Sequence, residues 1–309
     1  MSVYTANVSS VQDFMSCRFR WVLKWVENRV PRHESPALAE GKLLHLIFED
    51  HMRGTLTMKE AIDRHCSLLK TQARTDYERF VAEKAVNGIM DRAEALEQWT
   101  DKWAWTIPCL EVEEKFEIEH PYDPSIHLIG RPDRMGVMDN IELYHVQHRG
   151  LMAQMNFPVY MDLAKRHYHE HVYAVAMHAK YPQYKYGGTL FNLVRKLKYR
   201  TNVGKKNEAV KTLDQMFYQM PMLIDLESPL HEHVMHSLLG HIHEMRRIEA
   251  EYRQDGTMPS PNEKLNGGFS GCSIDPYFRV LTGEASLEDD TLFKDREDTY
   301  AVADPGDAD

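Results

Sequence analysis

The stretch ELYHVQHRG, Glu142 to Gly150, is the segment on which the fold turns. With the preceding HLIGRPDRMGVMDN, residues 127–140, it reads as two strands joined by a turn at Asp139-Asn140. Side chains alternate along a strand, so His145, Gln147 and Arg149 fall on one face. Upstream, CLEVEEKFEIEH (109–120) carries the strand period in Leu110, Val112, Phe116 and Ile118. Downstream, a helix from Pro158 to Lys180, stopped by Pro182, leads into a strand YGGTLFNLVRK (186–196), and another helix covers Leu230 to Arg253.

The first hundred residues read as helical. Ser10 is a plausible N-cap for a helix placing Phe14, Cys17 and Leu23 at helical spacing, and a second helix from near Ala37 carries Leu43, Leu44, Ile47 and Phe48. Thr57 to Leu69 and Ala73 to Thr100 follow, the second interrupted in propensity by Gly88. Strand, hairpin, helix and strand, wrapped by N-terminal helices, predict an α/β fold. The expected boundaries are a helical region at 1–108, a core at 109–285 and an acidic, disordered tail at 286–309.

Composition narrows the possibilities. With 309 residues and 43% apolar content, the chain suits one α/β core with a helical extension. No apolar run reaches the roughly 20 residues that span a bilayer, so no membrane role is expected. The N-terminus lacks a basic stretch followed by an apolar one, which argues for a cytoplasmic protein. Cys17, Cys66, Cys109 and Cys272 form no Cys-x-x-Cys pair and fit reduced thiols. The net charge of −10 is concentrated after Leu287, where nine acidic residues face one Lys and one Arg. The body is closer to neutral, and Arg195, Lys196, Lys198, Arg200, Lys205 and Lys206, interleaved with Tyr199, form a candidate strip for a nucleic-acid backbone.

The 17 histidines suggest metal, but HYHEHVYAVAMH (167–178) and HEHVMHSLLGHIHEM (231–245) contain no His-Glu-x-x-His, so surface-helix histidines are the better reading. His167, His169 and Tyr173 either line a cleft or pack a helix against the sheet. Phe14, Trp21 and Trp25 suit the core better than base stacking.

Four motifs occur in a telling order: Gly41 and His45 in EGKLLHLIFE, GRPDR at 130–134, LYHVQHR at 143–149, and HEHVY at 169–173. This order resembles the PD-(D/E)XK nuclease superfamily, in its RecB-like branch of DNA exonucleases, which includes the nuclease of CRISPR spacer acquisition and many phage-encoded relatives. The opening SSVQDFMSCRFRW and the strand GGTLFNLVRK extend the likeness from Ser9 to Glu284. The resemblance implies a restriction-endonuclease-like core, a mixed central sheet flanked by helices, with an N-terminal helical extension. It implies Mg²⁺ or Mn²⁺ held by His45, Asp133 and position 147, phosphodiester hydrolysis, DNA as partner, and a protein partner in a recombination or defence complex.

The motif residues depart from that pattern where charge matters. Gln147 stands for the expected Glu, Arg149 for Lys, Gly150 for Thr, and His169 for the Gln four residues before Tyr173. Gln147 offers a metal only a neutral oxygen, and Arg149 can grip phosphate in a fork but does not trade protons. A substitute acid on the preceding strand, Glu114 or Glu113, would restore a working site. The alternatives are a catalytically silent relative binding DNA or a protein through the same cleft, or a buried strand whose histidines are incidental. Some members of the branch hold an iron–sulfur cluster; Cys17 and Cys272 sit at two of the four places, Phe278 and Leu281 lie where further thiolates belong, and no cluster is expected.

Overall fold

A computed structural model describes residues 3–32, 34–102, 108–139, 141–151, 157–196, 198–199, 209–210, 213–260 and 276–296. Strand β1 (Tyr4–Asn7) runs straight into α1 (Val8–Ser16). The cap of α1 is Asn7, whose side chain accepts from the Ser9 N–H, and not Ser10. Ser10 is occupied elsewhere, accepting from the Trp21 indole at 2.7 Å. After α2 (Arg18–Trp21), a π-helical turn and β2 (Arg29–Pro31) come α3 (Pro36–Met52), α4 (Met58–Gln72), α5 (Asp76–Met90) and α6 (Ala93–Lys102). Thr57 with Glu60 and Thr75 with Glu78 form capping boxes that start α4 and α5. The long helix expected over 73–100 is two, but the break follows Met90, not Gly88. Gly88 is there for packing: a Cβ would stand 2.7 Å from a Glu40 carboxylate oxygen.

The remaining elements are β3 (Cys109–Val112), β4 (Phe116–His120), β5 (Asp123–Gly130), β6 (Arg134–Met138), β7 (Glu142–Leu151), α7 (Phe157–Ala164), α8 (Tyr168–Lys180), β8 (Lys185–Arg195), β9 (Lys198–Tyr199), β10 (Ala209–Val210), α9 (Leu213–Met216), β11 (Phe217–Met222), α10 (Pro229–Asp255), α11 (Pro276–Leu281) and β12 (Phe293–Asp295). A five-stranded mixed sheet has the order β11-β8-β7-β6-β3, and β1-β5-β4 form a second sheet. The parallel neighbours β7 and β8 are connected through α7 and α8, as a parallel pair requires. The single strand expected over 109–120 is divided. Glu113 adopts φ 54°, a left-handed conformation unusual for a residue with a side chain, and there the chain leaves one sheet for the other.

On one face of the central sheet, Met135, Val137 and Leu143 pack against α8 and α10 through Val172, Ala176, Val234 and Leu238. On the other, Val194 and Phe217 meet the helical region through Phe48 and Trp99. Trp99 stacks on Phe217 with centroids 4.7 Å apart, and Phe48 of α3 stacks on His148 of β7 at 4.6 Å. These contacts fix α3 against the sheet.

Part of the expected acidic tail is folded. β12 pairs antiparallel with β2, and Phe293 is fully buried with Cys17, Phe19, Leu23 and Tyr277. Asp290 and Asp295 lie 3.0 and 2.9 Å from the Arg29 guanidinium, so charges that look merely solvating in the sequence close a strap over the N-terminal helices. Phe293→Ala should cost about 3–5 kcal/mol in chemical denaturation. A loss within the ±0.5 kcal/mol range of surface changes would contradict the strap. Among the described residues, no helix is long and apolar enough to cross a membrane.

Candidate functional site

Helix α3 is held from two sides. Arg92, which is buried, pairs with Glu40, and the Lys196 ammonium at the end of β8 lies 3.6 Å from Glu40 and donates to the Ala37 carbonyl at 3.3 Å. With Phe48 seated on His148, the next turn back presents His45 toward the turn between β5 and β6. There His45 Nδ1 stands 3.8 Å from Asp133 Oδ1. The other oxygen of Asp133 accepts from the His148 backbone N–H at 2.6 Å, which fixes the carboxylate. Glu113 reaches the same point from the end of β3, its N–H bonded to the Asp133 carbonyl at 3.2 Å. One ligand atom from each of His45, Glu113 and Asp133 lies within 4.8 Å of the others.

The supports of this cluster are visible. The Tyr173 hydroxyl donates to the Arg131 carbonyl at 3.2 Å and so pins the turn that carries Asp133. The Arg131 side chain lies 2.7 Å from Glu113 Oε2. Burial, and then the neighbouring Asp133 charge, push the Glu113 carboxyl up to about 8, although Arg131 pulls the other way. Burial alone would raise Asp133 as well, but His45, Arg149 and His148 outweigh it and hold the carboxyl below its ordinary value. Arg149 stays charged despite burial, kept so by Asp133, Tyr160 and Glu170. Two acids with opposite shifts, an imidazole and a guanidinium therefore meet at one place. Hard oxygen donors with one imidazole suit Mg²⁺ or Mn²⁺.

The other residues singled out in the sequence divide. Gln147 is 1% exposed and has no acceptor for its Nε2 among the described residues. Glu114 is turned away and sits 2.9 Å from the Lys180 ammonium. His169 has both ring nitrogens engaged by α1: Gln12 Nε2 at 2.9 Å and Ser9 Oγ at 3.2 Å. Burial, then the Arg149 charge, bring its pKa down to about 4, so the ring is neutral. His167 is half-buried at the start of α8.

The proposed basic strip is only partly described. Arg195 covers the Phe157 ring at 4.2 Å and Lys196 is committed to α3, so neither is a loose surface cation. Lys198 belongs to β9; Arg200, Lys205 and Lys206 lie outside the described residues, as does Cys272.

Sequence reasoning missed a network behind the strand. Glu170 Oε2 accepts from Thr189 Oγ1 at 2.7 Å and lies 3.1 Å from His145 Nε2, while the Tyr186 hydroxyl lies 3.0 Å from His145 Nδ1. His145, Thr189 and Glu170 are essentially inaccessible. A buried carboxylate satisfied in this way rigidifies the face of β7 that carries Gln147 and Arg149. The sequence signal was faint: Glu170 is an acid on a helix face otherwise filled by Tyr173 and Ala174.

The sheet, the helix crossing it and the turn bearing Asp133 bring together three side chains that could hold a metal ion. The sequence matches the PD-(D/E)XK nuclease superfamily over residues 5–257, and the chain belongs to that superfamily. Among solved structures, a candidate exonuclease from Eubacterium rectale is similar, with 11% identity, coverage of 85% of this chain and 93% of that one, and a TM-score of 0.43. No curated protein matches.

Proposed function

We propose that this chain is a divalent-metal-dependent DNA nuclease of the RecB-like exonuclease type, in which the acid missing from β7 has been replaced by Glu113 at the end of β3. The observation that carries this reading is the convergence of His45, Glu113 and Asp133 within 4.8 Å, with Glu113 held in a left-handed backbone conformation. Strained conformations persist where the surrounding structure enforces them, and they cluster at functional sites. These three residues would hold the cation, which supplies Lewis-acid polarisation of the phosphate and activation of water. Asp133 is ionised and ready to ligate. Arg149 grips a non-bridging phosphate oxygen and offsets the charge that develops there. Tyr173 and Arg131 orient the turn and the Glu113 carboxylate.

A second reading, a catalytically silent DNA-binding relative, draws on Gln147 and Arg149 standing where charge and proton exchange are expected. End-labelled single- and double-stranded DNA incubated with Mn²⁺, Mg²⁺ or a chelator separates the two. The nuclease reading expects cleavage with either metal and none with chelator. DNA binding without cleavage, with cutting restored by Gln147→Glu together with Arg149→Lys, would establish the silent reading. Loss of both binding and cleavage removes nucleic acid from the account.

A further inference from the structure

The trio of His45, Glu113 and Asp133 is open to solvent on two sides, at the His45 side chain, which is 41% exposed, and at the Arg131 side chain, which is 36% exposed. Arg131 stands two residues before Asp133, and its Nε lies 2.7 Å from Glu113 Oε2. Its backbone is pinned by the Tyr173 hydroxyl, so the guanidinium extends from a fixed point. Among the described residues, no second carboxylate pairs with it.

Two carboxylates neutralise one divalent cation. With Glu113 and Asp133 serving that cation, the charges of Arg131 and Arg149 are left over. Neighbouring acids are already engaged: Glu49, which also acts on Glu113, pairs with Arg53 at 2.8 Å, and Glu170 accepts from Thr189 and faces His145. A guanidinium carries five N–H donors in a flat fork, so Nε can stay on Glu113 while the outer nitrogens take a phosphate side by side. Two of the cations that the sequence suggests for phosphate are committed elsewhere, Arg195 over Phe157 and Lys196 on α3.

We infer that Arg131 is a phosphate-gripping residue, with Nε on Glu113 and its outer nitrogens on a backbone phosphate of the nucleic-acid strand bound across the trio. This role rests on the nuclease reading and deepens it. One side chain then ties the position of the strand to that of the metal ligand Glu113.

The test uses full-length Arg131→Gln and Arg131→Lys, with Lys185→Gln as a control that removes the same charge beside Glu142, the first residue of β7. Glutamine still offers Glu113 a donor but has neither charge nor fork. Binding of an end-labelled single-stranded DNA oligonucleotide, checked to be uncut, is measured in Ca²⁺ over a range of salt concentrations, alongside each Tm. Arg131→Gln is expected to bind about tenfold more weakly, roughly the worth of one charge-assisted hydrogen bond, and to make the salt dependence shallower by about one unit of slope. Arg131→Lys keeps the slope, and Lys185→Gln changes neither quantity. A parental slope in Arg131→Gln, or a fall shared by Lys185→Gln or Arg131→Lys, overturns the grip whatever the Tm and leaves the nuclease reading standing. The slope effect without any cleavage in Mn²⁺ overturns the nuclease reading and leaves the grip. A parent chain that binds no DNA overturns both.

Discussion

Asp133→Ala and Asp133→Asn should each abolish the proposed metal-dependent cleavage, with the larger loss of stability in the alanine variant. Asp133 does two things at once: Oδ1 faces His45 and Oδ2 accepts from the His148 N–H. Alanine removes both functions and orphans a buried N–H, at a cost of about 1–3 kcal/mol. Asparagine retains an acceptor for His148 but carries no charge for a cation. Loss of an outer-shell partner already costs a metal site about 10–100-fold, so loss of the ionised ligand should exceed that in cleavage rate and in Mn²⁺ affinity. Titration calorimetry with Mn²⁺ and a denaturant melt on the same samples separate the effects. Parental cleavage in Asp133→Asn would remove the trio from the chemistry.

Much of this centre could be seen in the sequence because its parts are local. Gly41 and His45 lie one helical turn apart, GRPDR is a compact turn, and β7 shows its alternation over ten residues. β6 and β7 pair antiparallel on either side of the expected turn, of which Asn140 lies outside the described residues. What escaped depends on long-range geometry. Leu110, Val112, Phe116 and Ile118 keep one alternation phase through residues 113–115, so no slip in the pattern and no Gly, Pro or Asn marks the point where β3 and β4 part. The choice between Glu113 and Glu114 was therefore undecidable from periodicity, although it determines which acid enters the cleft. The fold of the acidic C-terminal segment escaped for a similar reason: Phe293 alone among charges reads as solvated, and its pocket is built by Cys17, Phe19 and Leu23, more than 250 residues away. The cap of α1 was misplaced because Ser10 and Asn7 are both good caps, and the contest was settled by Trp21, which takes the serine hydroxyl.

Glu113→Gln should destroy cleavage and stabilise the metal-free protein, whereas Glu114→Gln changes neither. The stability half follows from linkage. The folded-state pKa of Glu113 is raised to about 8 by burial and by Asp133, so the stability this carboxyl contributes is fully present below its ordinary value near 4.5 and is lost as pH rises toward 8. A glutamine of the same shape has no such loss, and the metal-free variant should exceed the parent in Tm by a margin that widens from pH 5 to pH 8. The activity half follows from charge: Glu113→Gln leaves Asp133 as the lone carboxylate of the trio, with Gln147 already neutral, and two amides do not replace two carboxylates around a divalent ion. Affinity for Mn²⁺ should fall by more than the about 10–100-fold of a lost outer-shell partner. Glu114, paired with Lys180 on an exposed edge, serves as the control. Opposite movement of stability and activity on changing one residue is what a strained, like-charged metal site predicts. If Glu113→Gln cleaves like the parent and Glu114→Gln does not, the left-handed turn at the end of β3 has been read the wrong way round.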